Sequence, residues 1–275
     1  MPELPEVETV KKTLNRWLNK RKIKKIEVFY ENTLLNTNKF DFKTKLKDQN
    51  IHTINRKGKF LIFLLDDFAL ISHLRMEGKY FLLDEQKELS LEKYKHKKVA
   101  FYLDNNKILV YDDVRKFGKI KLVNINNYKM DKSLVSLGEE PKNIDHSSFY
   151  KKIKKSNRVI KQILLDQSII AGLGNIYVDE VLFLSKINPL KKGSNITKKE
   201  ANNIIGKSIE VLDKAIKLGG STIKSFSYDN KADGKFQNSL HVYGKKDMPC
   251  PVCSNKIKKI KVSKRGTHFC PNCQK

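Results

Sequence analysis

The chain has 275 residues, with 56 Lys and Arg against 30 Asp and Glu, and its formal net charge of +26 calls for an anionic partner, either nucleic acid or a membrane surface. No apolar run approaches the roughly 20 residues of a membrane span, no signal-peptide pattern opens the chain, and the basic residues are spread throughout, so nucleic acid leads. Only seven of the basic residues are arginines, which makes them more informative than the many lysines, because a planar fork cannot be replaced by Lys where it must pair or stack.

The first predicted element is a helix that starts almost at the amino terminus. In Met1-Pro2-Glu3-Leu4-Pro5-Glu6-Val7-Glu8-Thr9, Pro5 suits a first helical position, and Glu6 and Glu8 favour the positive end of the helix dipole. Val7, Val10, Leu14, Trp17 and Leu18 recur at helical spacing and form one apolar face. A docked helix of this kind holds Pro2 and Glu3 in place. Once Met1 is removed, Pro2 is a secondary α-amine beside a carboxylate, a nucleophile next to an acid, and an α-amine titrates near pH ~8. The plainer reading is a helix start with incidental prolines and acids.

Residues 23–124 read as short strands, Ile23–Tyr30, Ile51–Arg56, Phe60–Leu65, Phe68–Leu74, Tyr80–Leu83, Val99–Leu103, Ile108–Asp112 and Ile120–Val123, separated by polar turns. This is the pattern of an antiparallel sandwich. From about Phe149 to Leu218 the periodicity turns helical, with breaks at Ser156-Asn157, Gly172–Asn175 and Asn188-Pro189, and Gly219-Gly220 ends the last helix. The segment from Gly220 to Tyr243 is polar and without periodicity, which suits a loop.

All four cysteines lie in the last 26 residues, as Cys250-Pro251-Val252-Cys253 and Cys270-Pro271-Asn272-Cys273. Two C-x₂-C pairs close a structural zinc site around a hairpin too short to be stable alone, and four thiolates leave no open position for chemistry. Disulfides are the competing reading, but they belong to an oxidising compartment, for which the sequence gives no sign.

The amino terminus, His73-Leu74-Arg75-Met76-Glu77-Gly78, Asp113-Val114-Arg115-Lys116-Phe117-Gly118, Ala171-Gly172-Leu173-Gly174-Asn175 and the cysteine module, in this order, resemble the formamidopyrimidine-DNA glycosylase family along almost the whole chain. The resemblance implies an α+β multidomain protein. An N-terminal catalytic β-sandwich with its leading helix would span 1–135, a helix-two-turns-helix domain 136–220, and a lesion-capping loop with a zinc finger 221–275. It implies Pro2 as Schiff-base nucleophile, Glu3 as proton donor, Lys59 in β-elimination and phosphate contact, and Arg265 in δ-elimination and phosphate contact. Met76 would fill the gap left by the extruded base, where an unbranched apolar side chain suits a wedge. Arg115 would meet the orphaned base and Phe117 would stack beside it, while Lys161 and Asn175 would hold phosphate. Taken alone, Met76 reads equally as a packing residue and Lys59 as a solvated lysine. Val114 and Lys116 depart from the Pro and Arg common at those positions.

In activity, the resemblance implies a bifunctional glycosylase and abasic-site lyase that flips out and excises oxidised purines, with one structural zinc ion. Its partner would be double-stranded DNA carrying a damaged base, with no membrane involved, and the protein would be monomeric, cytoplasmic and nucleoid-associated. The rivals are an endonuclease VIII-like enzyme for oxidised pyrimidines and a non-catalytic zinc-ribbon protein that binds nucleic acid.

Overall fold

The computed structural model describes residues 1–85, 91, 93–221 and 234–275, and the chain divides into two compact units, 1–135 with 221–234, and 136–220 with 235–275. The first unit opens with α1 (Leu4–Leu18), which buries Leu4, Val7, Val10, Leu14 and Leu18 and half-buries Trp17. Each such side chain contributes roughly 1.5–3 kcal/mol when fully buried, enough to dock a helix three residues from the chain end. Pro5 is the second helical residue rather than the first, a shift of one position at which its missing N–H is still harmless.

Ten strands complete this unit: β1 (Arg21–Val28), β2 (Leu34–Leu35), β3 (Asn50–Ile51), β4 (Thr53–Lys57), β5 (Phe60–Leu64), β6 (Phe68–His73), β7 (Lys79–Asp84), β8 (Lys97–Leu103), β9 (Lys107–Asp112) and β10 (Lys119–Asn124), counted among the described residues. They form two five-stranded sheets, ordered β3-β1-β8-β9-β7 and β2-β10-β6-β5-β4, and every pairing is antiparallel except β2 with β10. Ile23, Phe101, Leu109 and Tyr111 of the first sheet share one core with Ile54, Leu61, Phe63 and Leu70 of the second. The outer faces are apolar as well. Ala100, Ile108 and Val110 form one satellite cluster, and Ile62, Ala69, Ile71 and Leu134 form another under the short α3 (Lys132–Val135). This double coverage explains why β5 and β6 read as continuous apolar runs rather than alternating ones.

Helix α2 (Lys39–Leu46) is not evident from the sequence, because only Phe42 and Leu46 face inward. Asn38 caps it by accepting the Asp41 N–H at 2.8 Å.

The second unit contains α4 (His146–Lys154), α5 (Ile160–Leu165), α6 (Asn175–Leu184) and α7 (Lys198–Lys217), then the hairpin β11 (Lys258–Val262) and β12 (Arg265–Phe269). Gly219 and Gly220, at φ +77° and +82°, stop α7 in the left-handed conformation that suits glycine. Helix α6 is buried on nearly all sides, and its Phe183 packs with Val242, Ile257, Cys250 and Cys270, which seats the cysteine module on the helix.

Candidate active site

In the first unit, Pro2 and Glu3 are buried at the start of α1, Glu3 being 2% exposed. Glu3 lies in extended backbone, and its N–H donates to the Glu6 carboxylate at 2.9 Å. The other Glu6 oxygen accepts the Ser221 N–H at 2.7 Å and its hydroxyl at 3.2 Å. Glu6, expected as a helix-dipole residue and as the next acid candidate after Glu3, thus ties the amino terminus to Ser221. The lesion-capping loop anticipated after that residue falls largely on 222–233, outside the described residues.

A second set of bonds places Lys59. It stands in the two-residue turn between β4 and β5, where Gly58 takes φ +55°, as hairpin turns of this length demand. Strand β4 is the sheet edge, and Asn15 of α1 covers it by accepting the Ile54 N–H and donating to the Ile54 carbonyl, both at 2.8 Å. Arg56 donates to Glu8 at 2.7 Å and to the Gly58 carbonyl at 2.9 Å, so one guanidinium spans helix and turn. Burial raises the Glu8 pKa, but hydrogen bonds from Arg56 and Lys11 outweigh it and hold the carboxyl below its usual range. The bonds by which Asn15, Glu8 and Arg56 join helix to strand run between residues about 40 to 50 apart along the chain, and no local motif marks them.

Lys59 is buried, and its charge is one of those acting on His73. Burial first, then Arg75 and Lys59, push the His73 pKa down to about 3, so the ring is neutral near pH 7. Its Nδ1 accepts the Arg75 N–H at 3.0 Å while Arg75 sits at φ +54°, and this bond steadies a left-handed residue immediately before half-buried Met76.

The loop from Asp113 to Gly118 is organised by its first residue. Asp113, 1% exposed, accepts the Arg115 N–H at 3.0 Å on one oxygen and the Gly118 N–H at 2.7 Å on the other. The loop between these clamps is solvent-facing: Phe117 is 49% exposed and the Arg115 guanidinium lies 4.9 Å from its ring centroid. The Met76 and Phe117 loops share one support. A Cβ on Gly78 would come within 2.3 Å of the Tyr111 hydroxyl, and one on Gly118 within 1.7 Å, so both loops end in glycine because Tyr111 fills the space a side chain would take. Tyr111 is fully buried and its hydroxyl has no hydrogen-bond partner among the described residues.

In the second unit the glycine turn is held by Gln167, which accepts the Gly172 N–H at 3.0 Å and donates to the Leu173 carbonyl at 2.8 Å. Asn175 is the first residue of α6, and its amide donates to the Gly266 carbonyl at 3.0 Å. Lys161, expected to reach out to phosphate, is instead fully buried, with its ammonium 2.6 Å from Asp179 and 3.2 Å from the same Gly266 carbonyl. Arg265 is exposed and comes directly after the tight turn at Ser263 and Lys264, both at positive φ. Glu180 accepts from the backbone N–H groups of His241, Val242 and Tyr243 at 2.8 to 2.9 Å, which fixes the approach to the cysteine module.

The four cysteines are unbridged, and all four Sγ atoms lie within 4.8 Å of one another. Cys250 and Cys273 are 3.9 Å apart and Cys253 and Cys270 3.5 Å, close to the roughly 3.8 Å edge of a tetrahedron with ~2.3 Å Zn–S bonds. The N–H groups of Val252 and Cys273 point at sulfur at 3.5 and 3.4 Å, as suits thiolates. The residues fit one structural zinc ion, which on binding closes the module and takes no part in chemistry.

Residues 1–120 match the Formamidopyrimidine-DNA glycosylase N-terminal domain, 137–227 the Formamidopyrimidine-DNA glycosylase H2TH domain, and 249–275 the Zinc finger found in FPG and IleRS. A formamidopyrimidine-DNA glycosylase of Oceanobacillus iheyensis is 45% identical, covering 100% of this chain and 98% of its own, and one of Streptococcus mutans is 44% identical over the full length of both. Among solved structures, a Lactococcus lactis FPG mutant in complex with Fapy-dG containing DNA aligns at TM-score 0.93 and 44% identity over 99% of each chain, and the Lactococcus lactis enzyme with an abasic site containing DNA aligns at 0.91 and 43% over all of both. With its sandwich, its helical unit and its four-cysteine module each matched in order, the chain belongs to the formamidopyrimidine-DNA glycosylase family of DNA repair enzymes.

Proposed function

We propose that this DNA glycosylase and abasic-site lyase excises oxidised purines, 8-oxoguanine and formamidopyrimidines, from double-stranded DNA and then cuts the strand by β,δ-elimination. The observation that carries the reading is the buried Pro2-Glu3 pair at the head of a docked helix, with its backbone held by Glu6. A base inside a duplex is out of reach, so the nucleotide must be flipped, and damaged pairs flip at lower cost. Pro2 nitrogen, freed by loss of Met1, attacks the sugar C1′ and the base leaves. Glu3 delivers a proton to the ring oxygen, and the sugar opens to an iminium. That iminium accepts the electron pair released when a C2′ proton is removed, which expels the 3′ phosphate; a second elimination expels the 5′ phosphate. Lys59 and Arg265 serve these eliminations and grip flanking phosphates. Met76, Arg115 and Phe117 occupy the gap and read the opposite strand, and the α6 N-terminus at Asn175 draws phosphate.

These roles divide over 1–135, 136–220 and 221–275, of which the last is shared between the two compact units, 221–234 falling with the first and 235–275 with the second. The protein acts as a monomer in the cytoplasm on nucleoid DNA. Among the described residues no helix is long and apolar enough to cross a membrane. The test is borohydride trapping on a duplex with one 8-oxoguanine opposite cytosine, with an oxidised-pyrimidine duplex alongside, since a Lactococcus lactis relative has been solved with an oxidized pyrimidine containing DNA. A cross-link mapped to Pro2, in protein whose intact mass lacks Met1, supports the reading. Full lyase activity in protein that uniformly retains Met1 refutes the chemistry, and trapping confined to the pyrimidine duplex favours the endonuclease VIII-like alternative.

A further inference from the structure

We propose that Lys161 is a positioning residue: through Asp179 and the Gly266 carbonyl it fixes strand β12, and with it Arg265, without itself touching DNA. The inference rests on the reading of Arg265 as a phosphate ligand. Its starting point is the mismatch between a lysine expected at phosphate and a lysine whose side chain, like that of its partner Asp179, is 0% exposed. An ammonium is retained at such depth only with a counter-charge, and Asp179 supplies it at 2.6 Å. Swinging Lys161 out to phosphate would leave the Asp179 carboxylate buried without that charge, which is the costly way to break an interior ion pair.

The pair is wired to the hairpin. The second Asp179 oxygen accepts the His268 N–H at 2.8 Å, and the Gly266 carbonyl accepts from Lys161 at 3.2 Å and from Asn175 at 3.0 Å. Asn175 and Asp179 are four residues apart on α6, hence on one face, and they address positions two apart on β12. Gly266 directly follows Arg265, so the backbone one residue beyond the arginine is held from two helices. A guanidinium gains from a fixed base because its paired hydrogen bonds to phosphate are directional.

The experiment uses full-length, zinc-loaded protein and a duplex with a tetrahydrofuran abasic analogue. In unmodified protein, amine acylation read by mass spectrometry should leave Lys161 unreactive with or without DNA, while exposed Lys264 reacts in the free protein. Acylation of Lys161 in the free protein with protection by DNA would overturn the proposal. Lys161→Met should weaken DNA binding by at least about tenfold. Lys161→Met with Asp179→Asn, which restores neutrality and keeps an acceptor for His268, should return affinity to within about threefold of the parent. It should also keep the parental slope of log affinity against log salt. A double variant that folds, binds zinc and stays weak, with a slope lower by about 0.9, would mean a lost phosphate contact and overturn the proposal. Arg265→Ala is the control for the underlying reading and should lower the slope by about 0.9. An unchanged slope there rejects Arg265 as a phosphate ligand, while the acylation result separately decides whether Lys161 meets DNA.

Discussion

Replacing Glu3 by Gln keeps the shape of a buried side chain and removes its proton. Base excision from an 8-oxoguanine duplex should fall by about 10²–10⁴, the range for a lost general acid. Binding to an abasic analogue should survive, and cleavage of a preformed abasic site should suffer less, because its sugar already opens to an aldehyde. Excision at the parental rate would move the acid elsewhere; Glu6 is poorly suited, since its two oxygens are committed to the Glu3 N–H and to Ser221. His73 makes a different prediction. Its folded pKa is about 3, below an ordinary value of 6.5. The unfolded chain therefore takes up a proton that the folded one refuses, so this contribution is intact above pH ~6.5 and is lost as pH falls toward ~3, by up to about 1.4 kcal/mol per unit. Thermal melts of His73→Gln should show a shallower acid loss than the parent between pH 6 and 4; parallel curves would mean the ring is protonated in the folded protein.

At the level of elements, seven of the eight strands anticipated from β-branched and aromatic runs are present, as are the long helices and the hairpin between the cysteine pairs, whereas Ile51–Arg56 is divided, Ile51 pairing in β3 of one sheet and Thr53–Lys57 forming β4 of the other. Periodicity over several residues carries such segments. It fails for α2, where two inward residues do not make a pattern, and it places Pro5 one position early. At the candidate site, motif residues were legible as residues, whereas their supports were not. Glu8 with Arg56, and Asp179 with His268, meet only after the chain has folded back, and Lys161 is a lysine like many others until its burial is known. The cysteine module yields the clearest prediction at this scale. Stripping zinc should disorder the hairpin that presents Arg265 and abolish DNA binding, while the sandwich of the first unit remains folded on its own core. Metal analysis, circular dichroism and a binding assay on one preparation would check this, and chelated protein with parental affinity would contradict it.

For the molecule as a whole, a net charge of +26 makes association with DNA strongly dependent on salt. Each phosphate neutralised contributes roughly −0.9 to the slope of log affinity against log salt, so Lys59, Arg265 and their neighbours should give a slope of about −2 or steeper. A slope near zero, measured by titration from low to high salt, would argue against a phosphate-gripping surface. Most of the exposed lysines can be exchanged with little effect, since surface substitutions away from special features usually change stability by only about 0.5 kcal/mol. Tyr111 and the glycines at positions 78 and 118 have no such latitude. Any side chain at either glycine meets the same phenol, and one at Gly78 also meets the Leu74 carbonyl at 2.7 Å, so a shorter residue in place of the tyrosine would relieve Gly118 more than Gly78 while removing the support that both loops share. The two loops therefore tolerate change at their exposed tips and not at their shared root.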